Sequence, residues 1–170
     1  QDIAAGFAFN VKDVVLMGRM PYLGRFQNET ATDIAIVERA LEATDTARLC
    51  HKTIDRLSAG ERQRVFIAKA LAQEPDVLIL DEPTSHLDIG HQAAMLDLLL
   101  RFNRENGITV VVVLHDLNLA AEYCRQIYLM DQGRITASGD PQTVLTPSRL
   151  EAVYRTAVRL RPGIFPVPGS

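Results

Sequence analysis

The sequence predicts an α/β protein with a parallel core, preceded by a helical segment. Three observations carry that expectation. Two continuous apolar runs, Val77–Leu80 and Thr109–Leu114, have strand length and flank one long amphipathic stretch. Strand and helix patterns alternate across that region, the order that builds a parallel sheet. The front third, roughly residues 10–60, repeats its apolar residues at helix spacing and shows no strand pattern.

Taken in order, Gln1–Asn10 is apolar, contains glycine, and reads as loop. Val11–Met17 has helical spacing, with Gly18 placed to end it. Gly18–Asn28 holds Pro21 and Gly24 and reads as a second loop. Thr32–Ala43 repeats Ile34, Val37, Ala40 and Leu41 at helix period, and Ala47–Cys50 suggests one further turn. Leu57–Gly60 is expected to turn, and Glu61–Ala72 to form a strong helix that Pro75 breaks. Val77–Leu80 is expected to be a buried strand, Ile89–Asn106 a long helix closed by Gly107, Thr109–Leu114 a second buried strand, and Leu117–Cys124 a helix. Ile127–Asp131 and Arg134–Ser138 read as strands joined at Gln132-Gly133, a hairpin signal. Pro147–Tyr154 reads as a helix with proline in its first turn, and Val158–Ser170, with three prolines, as an extended tail.

Composition fits one ordinary domain: 170 residues, 47% hydrophobic and 23% charged. A net charge of −3 supplies no overall field for nucleic acid or anionic membrane. The longest apolar run, Ile108–Leu114, falls well short of the ~18 residues a membrane span needs. Cys50 and Cys124 lie far apart, as free thiols of a reducing compartment would, and the four histidines show no metal-ligand spacing with them. The chain begins at Gln1 with no methionine and runs directly into apolar sequence, so a truncated N-terminus is expected.

The chemistry concentrates in three places. Val77–Leu80 delivers adjacent carboxylates, Asp81 and Glu82, to the carboxyl end of a strand, the edge where open α/β sheets bind ligands. Such a pair suits a phosphate site in which one carboxylate holds a hydrated magnesium ion and the next polarises water. An ordinary strand end with solvated acids is the competing reading. The second strand ends at His115, 33 residues after Glu82, which is room for one crossover helix. Adjacent parallel strands would then set an acid and an imidazole at one sheet edge. LSAGERQRV, residues 57–65, places Ser58 and Gly60 before a helix, where the first backbone N–H groups can bind an anion. The alternative is a plain capping box between Ser58 and Glu61.

Together, LSAGERQRV, VLILDEPTSHLD and VVVVLHD resemble the ABC ATPase family: signature motif, Walker B, D-loop and H-loop, in family order and spacing. The resemblance implies a P-loop NTPase (RecA-like) core lacking its N-terminal part, with an α-helical subdomain. It implies a division into a Q-loop and helical subdomain over 1–60, whose signature helix continues to 74, the C-terminal part of the ATPase core over 75–157, and a tail over 158–170. It implies that Asp81 holds Mg2+ through water, Glu82 is the general base, His115 is the switch histidine, and Asp88 is the D-loop aspartate at a dimer interface. Ser58, Ala59, Gly60 and Glu61 are implied to contact the ATP of the other subunit. The motif departs from the commonest LSGGQ form at Ala59 and Glu61. Gln1 falls where the family has its Q-loop glutamine, a catalytic and metal-contacting position.

NVKDVVLMGRMPYLGRF and the stretch from Leu114 to Tyr154 resemble importers of iron chelates, haem and vitamin B12. The resemblance implies a head-to-tail homodimer on the cytoplasmic face of the membrane, bound to integral membrane permease subunits, reached indirectly by a substrate-binding protein, and binding no nucleic acid. The segment around Val11–Phe26 is implied to meet the permease. GxxxxGK[ST] occurs nowhere in the sequence. The phosphate loop is therefore expected upstream of Gln1, its strand beside that of His115, and the 170 residues alone are expected to be inactive. A non-transport ABC ATPase and a pure binding module are the rival readings.

Overall fold

The computed structural model describes residues 9–24 and 27–159. Gln1, Arg25, Phe26 and the tail beyond Arg159 lie outside them.

Helix α1 (Val11–Leu16) starts at Asn10, whose side chain accepts from the Asp13 N–H, and it buries Val11, Val14 and Val15. It does not stop at Gly18. The chain continues as a 3₁₀ helix over Met17–Tyr22, including Pro21, so the expected loop begins later than its glycine suggested. Gly18 is there for space: a Cβ would lie 2.3 Å from the Lys69 carbonyl oxygen.

Helix α2 (Ala31–Ala43) starts one residue before the periodicity indicated, because Thr30 caps it and Asp33 completes a capping box. Two further 3₁₀ turns follow, Ala47–Leu49 as expected and Ile54–Arg56, which apolar spacing did not reveal. Helix α3 (Ala59–Leu71) begins inside the expected turn, since Ser58 caps it and Ala59 and Gly60 form its first turn. Helices α1, α2 and α3 share one core built on Val11, Val15, Val37, Leu41, Val65 and Ala68.

Strand β1 (Val77–Asp81) pairs in parallel with β2 (Thr109–Val113), from Val77 opposite Thr109 to Asp81 opposite Val113. The crossover is α4 (Ile89–Asn106), capped by Asp88 and ended by Gly107 in the left-handed conformation at φ +69°. One sheet face packs Leu78 and Leu80 against a core that includes Met95, Leu99 and Phe102 of α4. The other face is bare: Ile79 is 73% exposed, and Val77, Val111 and Val113 are 48–49% exposed. The apolar runs were expected to be buried, as in a sheet covered on both faces; here one face has cover.

Helix α5 (Leu117–Tyr123), capped by Asp116, leads to a separate antiparallel pair, β3 (Ile127–Asp131) and β4 (Arg134–Gly139). Gln132 and Gly133 both have positive φ, 47° and 75°, as a type I′ hairpin turn demands. A short helix α6 (Pro141–Val144), not anticipated, is capped by Asp140, and α7 (Pro147–Tyr154) follows. Leu129, Val144 and Leu150 form the small core that joins them to the hairpin.

Candidate nucleotide site

The parallel pairing brings the two strand ends together. The Glu82 N–H donates to the Val113 carbonyl at 3.1 Å, extending the ladder one residue past β1. The backbone then turns sharply: Glu82 sits at φ +46°, a left-handed conformation uncommon outside glycine, and Pro83 prevents the ladder from continuing. That turn directs the Glu82 carboxylate at the end of β2. Its Oε1 lies 2.6 Å from Nε2 of His115, and its Oε2 accepts from the Ser85 hydroxyl at 2.7 Å. The Ser85 hydroxyl and, next, the His115 imidazole hold this carboxyl below the usual glutamate range.

Asp81 alternates onto the bare face of the sheet with Val77 and Ile79. Its carboxylate has no hydrogen-bond or ion-pair partner among the described residues. It is thus available to a hydrated cation, a role that suits magnesium, which is commonly held by one or two carboxylates together with water and substrate phosphates. No group of three potential protein ligands occurs among the described residues, so an ion here would draw its other ligands from water and nucleotide.

At α3, Ser58 and Glu61 make the reciprocal capping box. The Ser58 Oγ accepts from the Glu61 N–H at 3.2 Å, and Glu61 Oε2 accepts from the Ser58 N–H at 3.0 Å. The bond from the Ser58 N–H is the main reason the Glu61 carboxyl titrates low. Ser58 and Ala59 are exposed and Gly60 is half-buried, at the positive end of a 13-residue helix. A methyl at Gly60 would meet Leu87 and His91 at 3.5 and 3.7 Å, ordinary contact distances, so packing within this chain does not require glycine there.

Asp88 is committed locally. Its Oδ1 accepts from the His91 N–H at 2.9 Å and its Oδ2 lies 2.8 Å from His91 Nδ1. The bond from the His91 N–H leads the causes that lower its pKa. A cavity of about 250 Å³ separates the first turns of α3 from the loop after β1, lined by Ala59, Arg62, Phe66, Glu82, Ser85 and His86.

The structure thus joins Glu82 and His115 directly, sets Asp81 beside them, and places the Ser58–Gly60 turn across a cavity from the Glu82–Leu87 loop. Gln1 lies outside the described residues. Ser85 was missed as a site residue. Its signal was its place three residues after Glu82, close enough for a hydroxyl to return to the carboxylate once the chain turns.

The sequence model of the ABC transporter family matches residues 8–85. The cobalamin import ATP-binding protein BtuD of Halobacterium salinarum is 41% identical over 170 residues, all of this chain and 42% of that protein. The hemin import ATP-binding protein HmuV of Pseudomonas putida is 49% identical over 154 residues, 88% of this chain and 58% of that one. A solved ABC transporter in an inward-facing conformation superimposes with a TM-score of 0.85 at 30% identity, covering 92% of this chain and 62% of its counterpart. This chain spans less than two thirds of each of these relatives. Its fold is that part of the P-loop NTPase cassette, and the family model, the named relatives and the solved transporter agree that the chain is similar to part of an ABC-transporter ATP-binding protein.

Proposed function

We propose that this chain is part of the ATP-hydrolysing subunit of an ABC importer for an iron chelate, haem or corrinoid. The observation that carries the catalytic part is the 2.6 Å contact between Glu82 and His115 at the carboxyl edge of two parallel strands. The names of relatives, cobalamin import, hemin import and ferric enterobactin transport ATP-binding proteins, support the substrate class.

In this reading Glu82 takes a proton from the water that attacks the γ-phosphorus. A carboxylate has about four lone-pair sites, so accepting from Ser85 and His115 leaves capacity for that proton. His115, donating through Nε2, fixes the carboxylate's direction and lies where the γ-phosphate would sit. Asp81 would hold Mg2+ through water, and the ion when bound supplies neutralising charge to the phosphates. Ser58, Ala59, Gly60 and Glu61 would meet the ATP of a second subunit, with the backbone N–H groups of α3 facing its phosphates. Asp88 would lie at that dimer interface, and Gln1 would reach the metal and attacking water. The fitting assembly is a head-to-tail homodimer, peripheral on the cytoplasmic face, docked on permease subunits and served indirectly by a substrate-binding protein. The division at residues 60, 74 and 157 belongs to the same reading.

The 170 residues contain no GxxxxGK[ST], so in this proposal the phosphate cradle is supplied from outside them and the chain alone does not turn over ATP. Replacing Glu82 with Gln in the full-length protein tests the reading. Turnover should fall by ~10²–10⁴-fold, the typical contribution of a general base, while ATP-bound dimers accumulate. Turnover at the parental rate would remove Glu82 as the base.

A further inference from the structure

The first turn of α3 has few donors left for an anion, and a carboxylate decides which. The Glu61 N–H is taken by the Ser58 hydroxyl oxygen at 3.2 Å, and the Ser58 N–H by Glu61 Oε2 at 3.0 Å. The Arg62 N–H closes the first helical bond, to the Ser58 carbonyl. The N–H groups of Ala59 and Gly60 have no acceptor among the described residues, as is usual for the first positions of a helix. The Ser58 hydroxyl accepts in the cap and keeps its own hydrogen to donate. Three donors therefore face outward: the Ser58 hydroxyl and the N–H groups of Ala59 and Gly60.

Beside them stands the Glu61 carboxylate, 3.0 Å from the Ser58 nitrogen. An anion at the positive end of a helix stabilises that helix and repels a second anion arriving at the same end. The bond from the Ser58 N–H leads the causes that hold this carboxyl low, with Lys52 and Arg48 adding to it, so the group is ionised at neutral pH. Its charge is partly offset from one side. Arg48, on the 3₁₀ turn Ala47–Leu49, brings Nη2 to 4.0 Å from Glu61 Oε1. The cap itself has no need of the charge, because glutamine at this position closes the same box with a neutral oxygen.

We propose that Glu61 sets how tightly the Ser58–Gly60 turn holds nucleotide phosphate: its carboxylate repels the incoming anion, and Arg48 moderates that repulsion by pairing with it. The inference rests on the reading of this turn as a contact to ATP on a second subunit. A turn that holds phosphate less tightly also releases it more readily, so the carboxylate favours reopening of the ATP-bound pair.

The test uses the full-length subunit. Glu61→Gln removes the charge and keeps the cap, so it should melt near the parent. Its apparent KM for Mg-ATP should fall about threefold, the size expected of one charge at a helix end. The gap from the parent should narrow as added salt screens it. Arg48→Gln should raise KM about twofold, as for an exposed ion pair. In the Glu61→Gln background the same Arg48 change should do nothing, because Arg48 acts through Glu61. An unchanged or raised KM in Glu61→Gln, or a gap indifferent to salt, would overturn the proposal. An Arg48 effect that survives in Glu61→Gln would overturn the pairing role. Gly60→Ala tests the underlying reading separately. The added methyl meets Leu87 and His91 at ordinary distances of 3.5 and 3.7 Å, so the variant should fold, and a loss of turnover would support contact from outside the chain. Parental KM and turnover in Gly60→Ala would remove the turn from the nucleotide site, and the proposal with it.

Discussion

Val15 and Ile79 are both apolar and both sit in regular structure, yet Val15 is fully buried and Ile79 is 73% exposed. The contrast extends to their regions. The helical front closes on itself: α1, α2 and α3 cover one another, and even its buried ionic groups, Arg19 and Asp33, are bonded on several sides. The β1–β2 sheet is finished on one face and open on the other, and Asp81 lies on the open face. The difference shows that packing within these residues fixes the geometry of the front, while it fixes only half the environment of the strand ends that carry Asp81, Glu82 and His115. Chemistry and incompleteness coincide at the sheet, as ligand sites at strand ends require.

The front should therefore be the harder region to perturb without unfolding. Arg19→Met leaves the Asp33 carboxylate without its cation in a buried site. The melting temperature should drop by on the order of 10 °C, measurable by circular dichroism. Asp33 also gives the front an acid signature. The Thr30 hydroxyl first, then the Thr30 N–H and Arg19, lower its pKa to about 2 from an ordinary 3.8. A depressed folded pKa stabilises the fold above the unfolded value. That stabilisation should fade as pH falls from about 4 toward 2, and an Asp33→Asn variant should flatten this part of the stability profile.

Within β1, adjacent residues should separate the two faces. Leu78→Ala removes a side chain that is 4% exposed in the α4 core and should cost about 2–5 kcal/mol in urea denaturation. Ile79→Ala, one residue on, should stay within about 0.5 kcal/mol of the parent. Equal losses at both positions would mean that the second face is also covered in solution.

The two regions were unequally legible in the sequence. Helix spacing at Val37, Ala40 and Leu41 revealed α2, and the Gln132-Gly133 pair revealed the hairpin because both residues must accept positive φ. Glu82 and His115 were legible as a pair because parallel strands joined by one helix end at the same edge. The bare face was hidden, since Val77–Leu80 reads as apolar on both faces and periodicity cannot tell covered from uncovered. Gly18 misled for a similar reason: a glycine that ends a helix and one that admits a neighbouring carbonyl look alike in sequence. The Arg19 network escaped notice because its partners lie 14 and 55 residues away, beyond any local pattern.

An open apolar face should also make the 170-residue chain associate with itself. Light scattering should give a mass above the monomer, and Ile79→Lys with Val111→Lys should lower it. A monomeric parent would show the face to be less sticky than its area suggests.

The smallest expected effects compare two caps. Thr30 begins α2 in the closed front, and Ser58 begins α3 beside the cavity that faces Glu82 and Ser85, each with an acid three residues on completing a capping box. Thr30→Ala and Ser58→Ala should each cost about 1 kcal/mol, because each frees a helix N–H that the side chain had satisfied. Glycine tells cap from contact, since at an N-cap it costs only a few tenths of a kcal/mol. Ser58→Gly should therefore melt near the parent, while in the full-length protein its ATP turnover falls as far as that of Ser58→Ala. Thr30→Gly should leave both properties intact. If Ser58→Gly keeps parental turnover, the hydroxyl does no more than start a helix, and the phosphate contact proposed for the Ser58–Gly60 turn falls to its backbone N–H groups.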